Sequence, residues 1–250
     1  MSVEAPNNHK FQSILSGNIP QKNPSGSRLF EQLFNTQLSR YSSTVDDSPK
    51  SPKDNTVWME YSSGSEQNVK DACQKMITLK QDGLLKFSNI EPHQQGLKDA
   101  LKCARTTPIK HLIVQRSVLS DAHLQAVANV LKINDGIAWL VLNHNKIDNR
   151  GIRHLTNGIK ENKGLNHVVL SHNEIGDEGA MALSAALEGH PHVESVWLRG
   201  NNISDAQCFI QMIKNNQKIR SLDLRDNQLS IKEIQSIQQI CKEKGVRLYA

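Results

Sequence analysis

The chain has 250 residues and a formal charge of +5, because 30 Lys and Arg residues stand against 25 Asp and Glu residues. No block of five or six like charges occurs in the sequence, which argues against an arm that binds nucleic acid. The first thirty residues lack the apolar run of a signal peptide, and no stretch approaches the length of a membrane span. We therefore expect a cytoplasmic protein without a membrane-spanning segment.

The four cysteines, Cys73, Cys103, Cys208 and Cys241, are far apart and form no C-x-x-C pair. This spacing argues against a zinc site or a redox motif. Cys73, Cys103 and Cys208 fall in segments predicted to be helical, where a free cysteine acts as a small apolar filler. The pattern fits a reducing compartment.

Residues 1–65 are rich in Asn, Ser, Gln, Pro and Lys, and we predict that this N-terminal arm is largely disordered. Within the arm, residues 28–40 are predicted to form a short amphipathic helix, because several apolar side chains share one face. These side chains are Leu29, Phe30, Leu33, Phe34 and Leu38. The helix either docks into a groove of a partner or packs on the remainder of the chain.

Residues 66–108 are predicted to contain a capping helix and a degenerate first repeat. The helix is indicated by apolar residues at intervals of three and four, namely Val69, Ala72, Cys73, Met76 and Ile77. The degenerate repeat is indicated by Leu85, Phe87 and Ile90. A capping element of this kind hides the exposed end of the core in a stack of repeats.

Residues 109–250 contain five copies of one pattern and a terminal strand fragment. In each copy, three apolar residues stand at intervals of three and two, and an Asn or Ser follows three residues after the last of them. The copies begin at Ile109, Ile137, Leu165, Val193 and Ile219, so the steps are 28, 28, 28 and 26 residues. Such regular spacing predicts a solenoid of stacked repeats.

Each copy is predicted to contain a short strand followed by a helix. The alternating apolar residues place their side chains on one face of the strand, and the Asn is expected to bond backbone groups of the turn that ends it. Apolar faces such as Ile152, Leu155 and Ile159 indicate the helices. Before the next strand, helix C-caps are expected at Gly136, Gly164 and Gly245.

The repeat length and the run Asn-Glu-Ile-Gly-Asp-Glu-Gly-Ala at residues 173–180, followed by Leu183 and Leu187, resemble the ribonuclease-inhibitor-like class of leucine-rich repeats. The resemblance covers about residues 82–250. It implies an α/β horseshoe, with short parallel strands on the concave face and helices on the convex face. It also implies a general habit of binding proteins, although a fold alone does not fix a function.

Residues between the core positions of a strand point out of the concave face. On this basis we predict an exposed apolar patch with arginines at its border, since such patches mark interaction sites. The candidate partner-binding residues are Ile113, Trp139, Val141, His144, Val169, His172, Trp197, Arg199, Asp223 and Arg225. The alternative is that the N-terminal arm covers the tryptophans, in which case the helix at residues 28–40 would be autoinhibitory.

The ten histidines raise the question of a metal site, and His144 and His172 are expected to be neighbours on adjacent strands. No carboxylate or cysteine completes a ligand set at a fixed spacing, so we predict no metal. The phosphate-binding, dinucleotide-binding, metalloprotease and nucleophile-elbow motifs are all absent from the sequence. We therefore predict no cofactor and no catalytic residues.

The leading hypothesis is a non-catalytic protein–protein interaction module that is monomeric alone and holds a partner on its concave face. The same layout occurs in NOD-like receptors, tropomodulin, Ran GTPase-activating proteins and injected bacterial effectors. One alternative is therefore a secreted effector that acts on a host protein in the host cytosol, in place of a eukaryotic cytosolic adaptor. The other is a GTPase-activating role, for which Arg116 and Arg199 are the candidates.

Overall fold

The computed structural model of the chain describes residues 57–62, 83–92 and 96–250, and of the first segment only the backbone. From β2 onward, strands and helices alternate along these residues. The strands are β1 (Val57–Ser62), β2 (Gly83–Ser88), β3 (Ile109–Gln115), β4 (Trp139–Val141), β5 (His167–Val169), β6 (Ser195–Trp197), β7 (Ser221–Asp223) and β8 (Arg247–Tyr249). The helices are α1 (Gly96–Ala104), α2 (Asp121–Leu131), α3 (Asn149–Glu161), α4 (Asp177–Leu187), α5 (Gln207–Asn215) and α6 (Ile231–Lys244).

The strands form one parallel sheet in which each pairs with the next along the chain. Parallel neighbours need a crossover connection, and from β2 onward each connection contains one helix. Equivalent residues of successive repeats lie in register, so that His111 pairs with Trp139 and Trp139 pairs with His167. The predicted α/β leucine-rich-repeat horseshoe is confirmed.

Strand β1 corrects the predicted extent of the disordered arm. Val57–Ser62 lie inside the segment that composition marks as unstructured, yet their backbone pairs in parallel with β2. Pairing at the edge of an existing sheet supplies partners for backbone groups that composition alone cannot foresee. The predicted helix at residues 28–40 and the capping helix after residue 65 lie outside the described residues.

The core consists of the apolar positions that the repeat pattern predicts. All of the first, second and third apolar positions of the five copies are at most 1% exposed. In the degenerate repeat, Leu85, Phe87 and Ile90 are equally buried. The helices face this core with the predicted side chains, including Ile152, Leu155 and Ile159 of α3, which confirms the assignment of their apolar faces.

The predicted glycine caps are correct at one of three positions. Gly245 caps α6 in the left-handed conformation, with φ of 68°. Helices α2 and α3 are capped by Lys132 and Asn162, four and two residues before Gly136 and Gly164 respectively. Gly164 instead permits a close approach between repeats, because a Cβ there would lie 1.8 Å from the carbonyl oxygen of Asp135.

A ladder of asparagines, which we term the strand-exit ladder, links each repeat to its neighbour. Asn173 shows the arrangement: its Nδ2 donates to the carbonyls of Leu142 and Leu170, and its Oδ1 accepts from the N–H groups of Asn145 and Ile147. Asn145, Asn201 and Asn227 bond in the same manner. The predicted role of these asparagines in the turn is confirmed, and the bonds also cross between repeats.

A second ladder at the other end of the repeats was not foreseen from the sequence. Its members, Asn134, Asn162, His190 and Asn216, are all buried and lie three residues before the first apolar position of their repeats. The Nδ2 groups of the asparagines donate to two carbonyls of the preceding repeat. His190 substitutes for Asn, because its Nδ1 accepts from the N–H groups of His192 and Val193. The signal was present in the spacing, but one histidine interrupts it.

The concave strand face as candidate functional site

The outward side chains of the strands form rows that run across the repeats. The aromatic row is His111, Trp139 and His167. The apolar row is Ile113, Val141, Val169 and Trp197. The left-handed row, named for its backbone conformation, consists of the residue directly before the strand-exit ladder position of each repeat. Its members are Asn89, Arg116, His144, His172, Gly200 and Asp226.

The apolar row is buried, so the prediction that these side chains are exposed is wrong. Ile113 and Val141 are 0% exposed, Val169 is 3% and Trp197 is 9%. Adjacent strands lie about 4.8 Å apart, so side chains at equivalent positions of neighbouring strands contact one another. Sequence position fixes which way a side chain points but not how closely its neighbours approach. Partner binding by these residues stays a prediction.

Trp139 lies at the centre of the aromatic row, between two imidazoles. Its ring stacks on His167 with centroids 3.7 Å apart and on His111 with centroids 6.0 Å apart. All three side chains are half-buried. Burial, and to a smaller extent the neighbouring His111, lower the pKa of His167 to about 4. His167 is therefore neutral at physiological pH and presents an aromatic surface rather than a charge.

The arginines predicted as a charged border are held in ion pairs. Arg225 Nε and Nη2 donate to the two carboxylate oxygens of Asp223 at 3.0 and 2.6 Å, and its guanidinium lies 5.0 Å from the ring centroid of Tyr249. Asp223 is 0% exposed, so this bidentate pair compensates a buried charge. Arg199 Nε donates to Asp226 at 2.6 Å. The border therefore presents both positive and negative groups in fixed positions.

The left-handed row has positive φ at every member, from 52° at Arg116 to 67° at Gly200. Four of its N–H groups donate across to the next repeat, among them those of His144 to Ser171 and of His172 to Arg199. A residue other than Gly in this conformation costs about 1 kcal/mol. The predicted proximity of His144 and His172 is confirmed, since their rings stack at 4.4 Å and 8°.

The described residues offer little for catalysis or metal binding. No three His, Cys, Asp or Glu side chains among them cluster closely enough to hold a metal ion. A shallow cavity of about 300 Å³ lies between α4 and α5, lined by Asp177, Met181, Asp205, Gln207, Cys208 and Gln211. Burial raises the pKa of the Cys208 thiol, which makes it a poor nucleophile. No helix in the described part of the chain is both long and apolar enough to cross a membrane.

Comparison with known families agrees with the repeat geometry. A family profile described as Leucine Rich repeat matches residues 161–184 and 215–230, which include β5 and β7. The chain is a leucine-rich-repeat protein. The profile does not specify the ribonuclease-inhibitor-like class, so that subclass stays a prediction. Leucine-rich-repeat domains generally mediate protein–protein interactions, which supports a binding role for this one.

No curated protein matches the sequence of this leucine-rich-repeat protein. Among solved structures, it is similar to an internalin of Listeria monocytogenes, with 13% identity over 71% of this chain and 69% of that one and a TM-score of 0.26. A leucine-rich-repeat protein of Leptospira interrogans shows 10% identity over 68% of this chain and 65% of that one, also with a TM-score of 0.26. This chain thus spans less than two thirds of the Leptospira protein. At these TM-scores neither likeness bears on the function.

Proposed function

We propose that this leucine-rich-repeat protein is a protein–protein interaction module that holds its partner on the concave strand face. The observation that carries the proposal is the aromatic row, in which Trp139 is fixed between two imidazoles on an open sheet. Tryptophan is among the residues that most often dominate binding energy at protein interfaces. A wide, shallow strand face suits a protein surface better than a small substrate, which needs an enclosed pocket.

The rest of the face supports the same role through rigidity. The buried apolar row forms a firm base, and the Arg225–Asp223 and Arg199–Asp226 pairs hold polar groups in fixed positions beside it. Side chains that are ordered before binding lose less entropy when a partner arrives. No observation favours the effector or the GTPase-activating alternative, and Arg199, a candidate for the latter, is held by Asp226.

The experiment begins with affinity capture of a partner from the native cytosol, using the full chain as bait. Hydrogen–deuterium exchange of the purified complex then locates the bound surface. We expect added protection in the strands and in the turns that follow them, with helices α2 to α4 unchanged. Protection confined to the helices would overturn the proposal, because a partner on the convex face would leave the strand turns as they are.

Point variants test the same proposal. Trp139→Ala is the better variant, because Trp197 is only 9% exposed and its removal would lower stability as well as binding. Met181→Ala is the matched control, since Met181 is 62% exposed on helix α4 of the convex face. We expect Trp139→Ala to weaken binding at least about tenfold, the scale of an interface hot spot, and Met181→Ala to leave it unchanged.

A further inference from the structure

We propose that the left-handed row docks an acidic peptide segment of the partner at Arg116, His144 and His172, with Lys146 beside them. This inference rests on the proposed function and names the partner's chemistry at one edge of the concave face. It follows from three observations, which are two cations that form no ion pair in the described residues, a left-handed backbone that carries cationic side chains, and a ledge of stacked rings.

Arg116 and Lys146 are exposed, and within the described ranges neither forms an ion pair with a carboxylate. Arg220 is likewise exposed and forms no ion pair among the described residues, whereas four other arginines differ in this respect. Arg150, Arg153, Arg199 and Arg225 each have an Asp or Glu oxygen within 2.7 Å of a guanidinium nitrogen. At Arg116 of the left-handed row and at Lys146 outside it, positive charge is therefore available to a carboxylate of a partner.

The backbone conformation at Arg116 and Lys146 makes their side chains informative. Arg116 has φ of 52° and Lys146 has φ of 55°, a region that Gly, Asn and Asp occupy at lower cost than a long side chain. At the position equivalent to Arg116, the other repeats have Asn89, His144, His172, Gly200 and Asp226. Strained positions that keep an unfavourable residue are concentrated at functional sites. The presence of Arg at this position therefore points to use of its charge.

The two histidines form a ledge whose position the fold fixes. The ring of His172 lies against Gly200, where an added Cβ would come within 2.6 Å of its Nδ1. His144 stacks on His172 at 4.4 Å. Because β3, β4 and β5 are neighbours in the sheet, Arg116 follows next in the same line. Imidazole N–H and guanidinium groups are donors, so the line offers several donors to carboxylates.

The surroundings of the row favour an acidic peptide over a nucleic acid. Glu174 stands exposed beside Lys146 in the next repeat, and the row ends at Asp226, which is exposed and paired with Arg199. A continuous phosphate backbone would meet these carboxylates, whereas a peptide has acidic side chains only where its sequence places them. A row of a few positions about 4.8 Å apart also matches a short segment rather than a long polyanion.

The test uses the full chain and a short fluorescein-labelled poly-glutamate peptide, with binding followed by fluorescence anisotropy. Arg116→Asn removes the charge while keeping a residue that tolerates positive φ. Arg116→Lys restores the charge. Arg220→Asn is the matched control, because Arg220 is exposed in the loop before β7, at the other end of the strands.

We expect Arg116→Asn to weaken peptide binding about threefold to fivefold, the scale of one exposed ion pair. Arg116→Lys should recover most of the affinity, Arg220→Asn should match wild type, and a neutral Gly-Ser peptide should bind far more weakly. Because Asn suits the left-handed backbone, the melting temperature of Arg116→Asn should equal or exceed that of wild type.

Several results would overturn this inference. These are equal binding of the acidic and neutral peptides, equal losses in Arg116→Asn and Arg220→Asn, no recovery in Arg116→Lys, or tighter binding of single-stranded DNA than of the acidic peptide. Its failure is separable from failure of the proposed function. If a captured partner loses affinity with Trp139→Ala but not with Arg116→Asn, the concave face binds without an acidic segment on this row.

Discussion

The two faces of the same sheet differ in how closely their residue types repeat from one copy to the next. On the inner face, every copy places Leu or Val at its second and third core positions, and all of them are buried. On the outer face, the position between these two changes from Ile113 through valine and tryptophan to Asp223. Stacking fixes the inner face because each repeat must fit its neighbours. The outer face is less constrained by stacking, and we propose that its exposed and half-buried positions are the ones that a partner contacts.

The largest expected effect on stability comes from the strand-exit ladder, which joins the repeats. Asn173→Ala removes bonds to two carbonyls and two N–H groups in the buried turn. Each buried group left unsatisfied costs about 1–3 kcal/mol, so we expect a loss of about 3 kcal/mol in the free energy of unfolding. Urea titration measures it. Asn202→Ala is the control, because Asn202 is exposed and directly follows Asn201 of the same ladder. It should change the free energy of unfolding little.

The next largest effect on stability comes from the Arg225–Asp223 ion pair, which lies on the outer face but also supports the fold. Arg225→Ala leaves the buried carboxylate of Asp223 without its bidentate partner. We expect a loss of about 2 kcal/mol, less than for a fully enclosed pair, since truncation admits water. Adding Asp223→Val should restore most of the stability, since valine occupies the same row at Val141 and Val169. If the double variant were no more stable than the single one, the ion-pair account would be wrong.

A smaller effect concerns pH and the aromatic row. Native His167 has a pKa of about 4 against an ordinary value of 6.5. Between these values the unfolded chain binds more protons than the native one, so stability falls as the pH drops from about 6.5 to about 4. Burial lowers the pKa of His190 as well, which adds in the same direction. We expect a loss of about 1–2 kcal/mol from His167, given partial exposure of its ring.

Denaturant titrations across this pH range check the prediction for His167. His167→Gln should flatten the pH dependence, whereas His192→Gln, at an exposed position, should not. An identical slope in wild type and His167→Gln would show that the aromatic row is not the source.

The sequence predicts those features that repeat and misses those that depend on contacts between side chains. Core positions such as Leu140 and ladder positions such as Asn173 recur at a fixed spacing, so their roles can be inferred without a structure. The burial of Ile113 depends on how closely its neighbours on other strands approach it. The pairing of Arg199 with Asp226 depends on side-chain conformations across 27 residues of sequence. Neither leaves a local signal.

The second ladder falls between these two cases. Asn134, Asn162 and Asn216 keep the repeat spacing, but His190 interrupts the series. Only the structure shows that the imidazole accepts the backbone bonds that Asn accepts elsewhere. A search for residue types that share hydrogen-bonding capacity, rather than identity, would have found it.

The most direct test of a binding outer face is a paired measurement on Trp139→Ala. Its dissociation constant for the captured partner and its melting temperature should be determined beside those of wild type and Met181→Ala. We predict binding at least about tenfold weaker, with a melting temperature close to that of wild type because Trp139 is half-buried on the outer face. Unchanged affinity in a folded Trp139→Ala variant would contradict the assignment of the concave face as the binding surface.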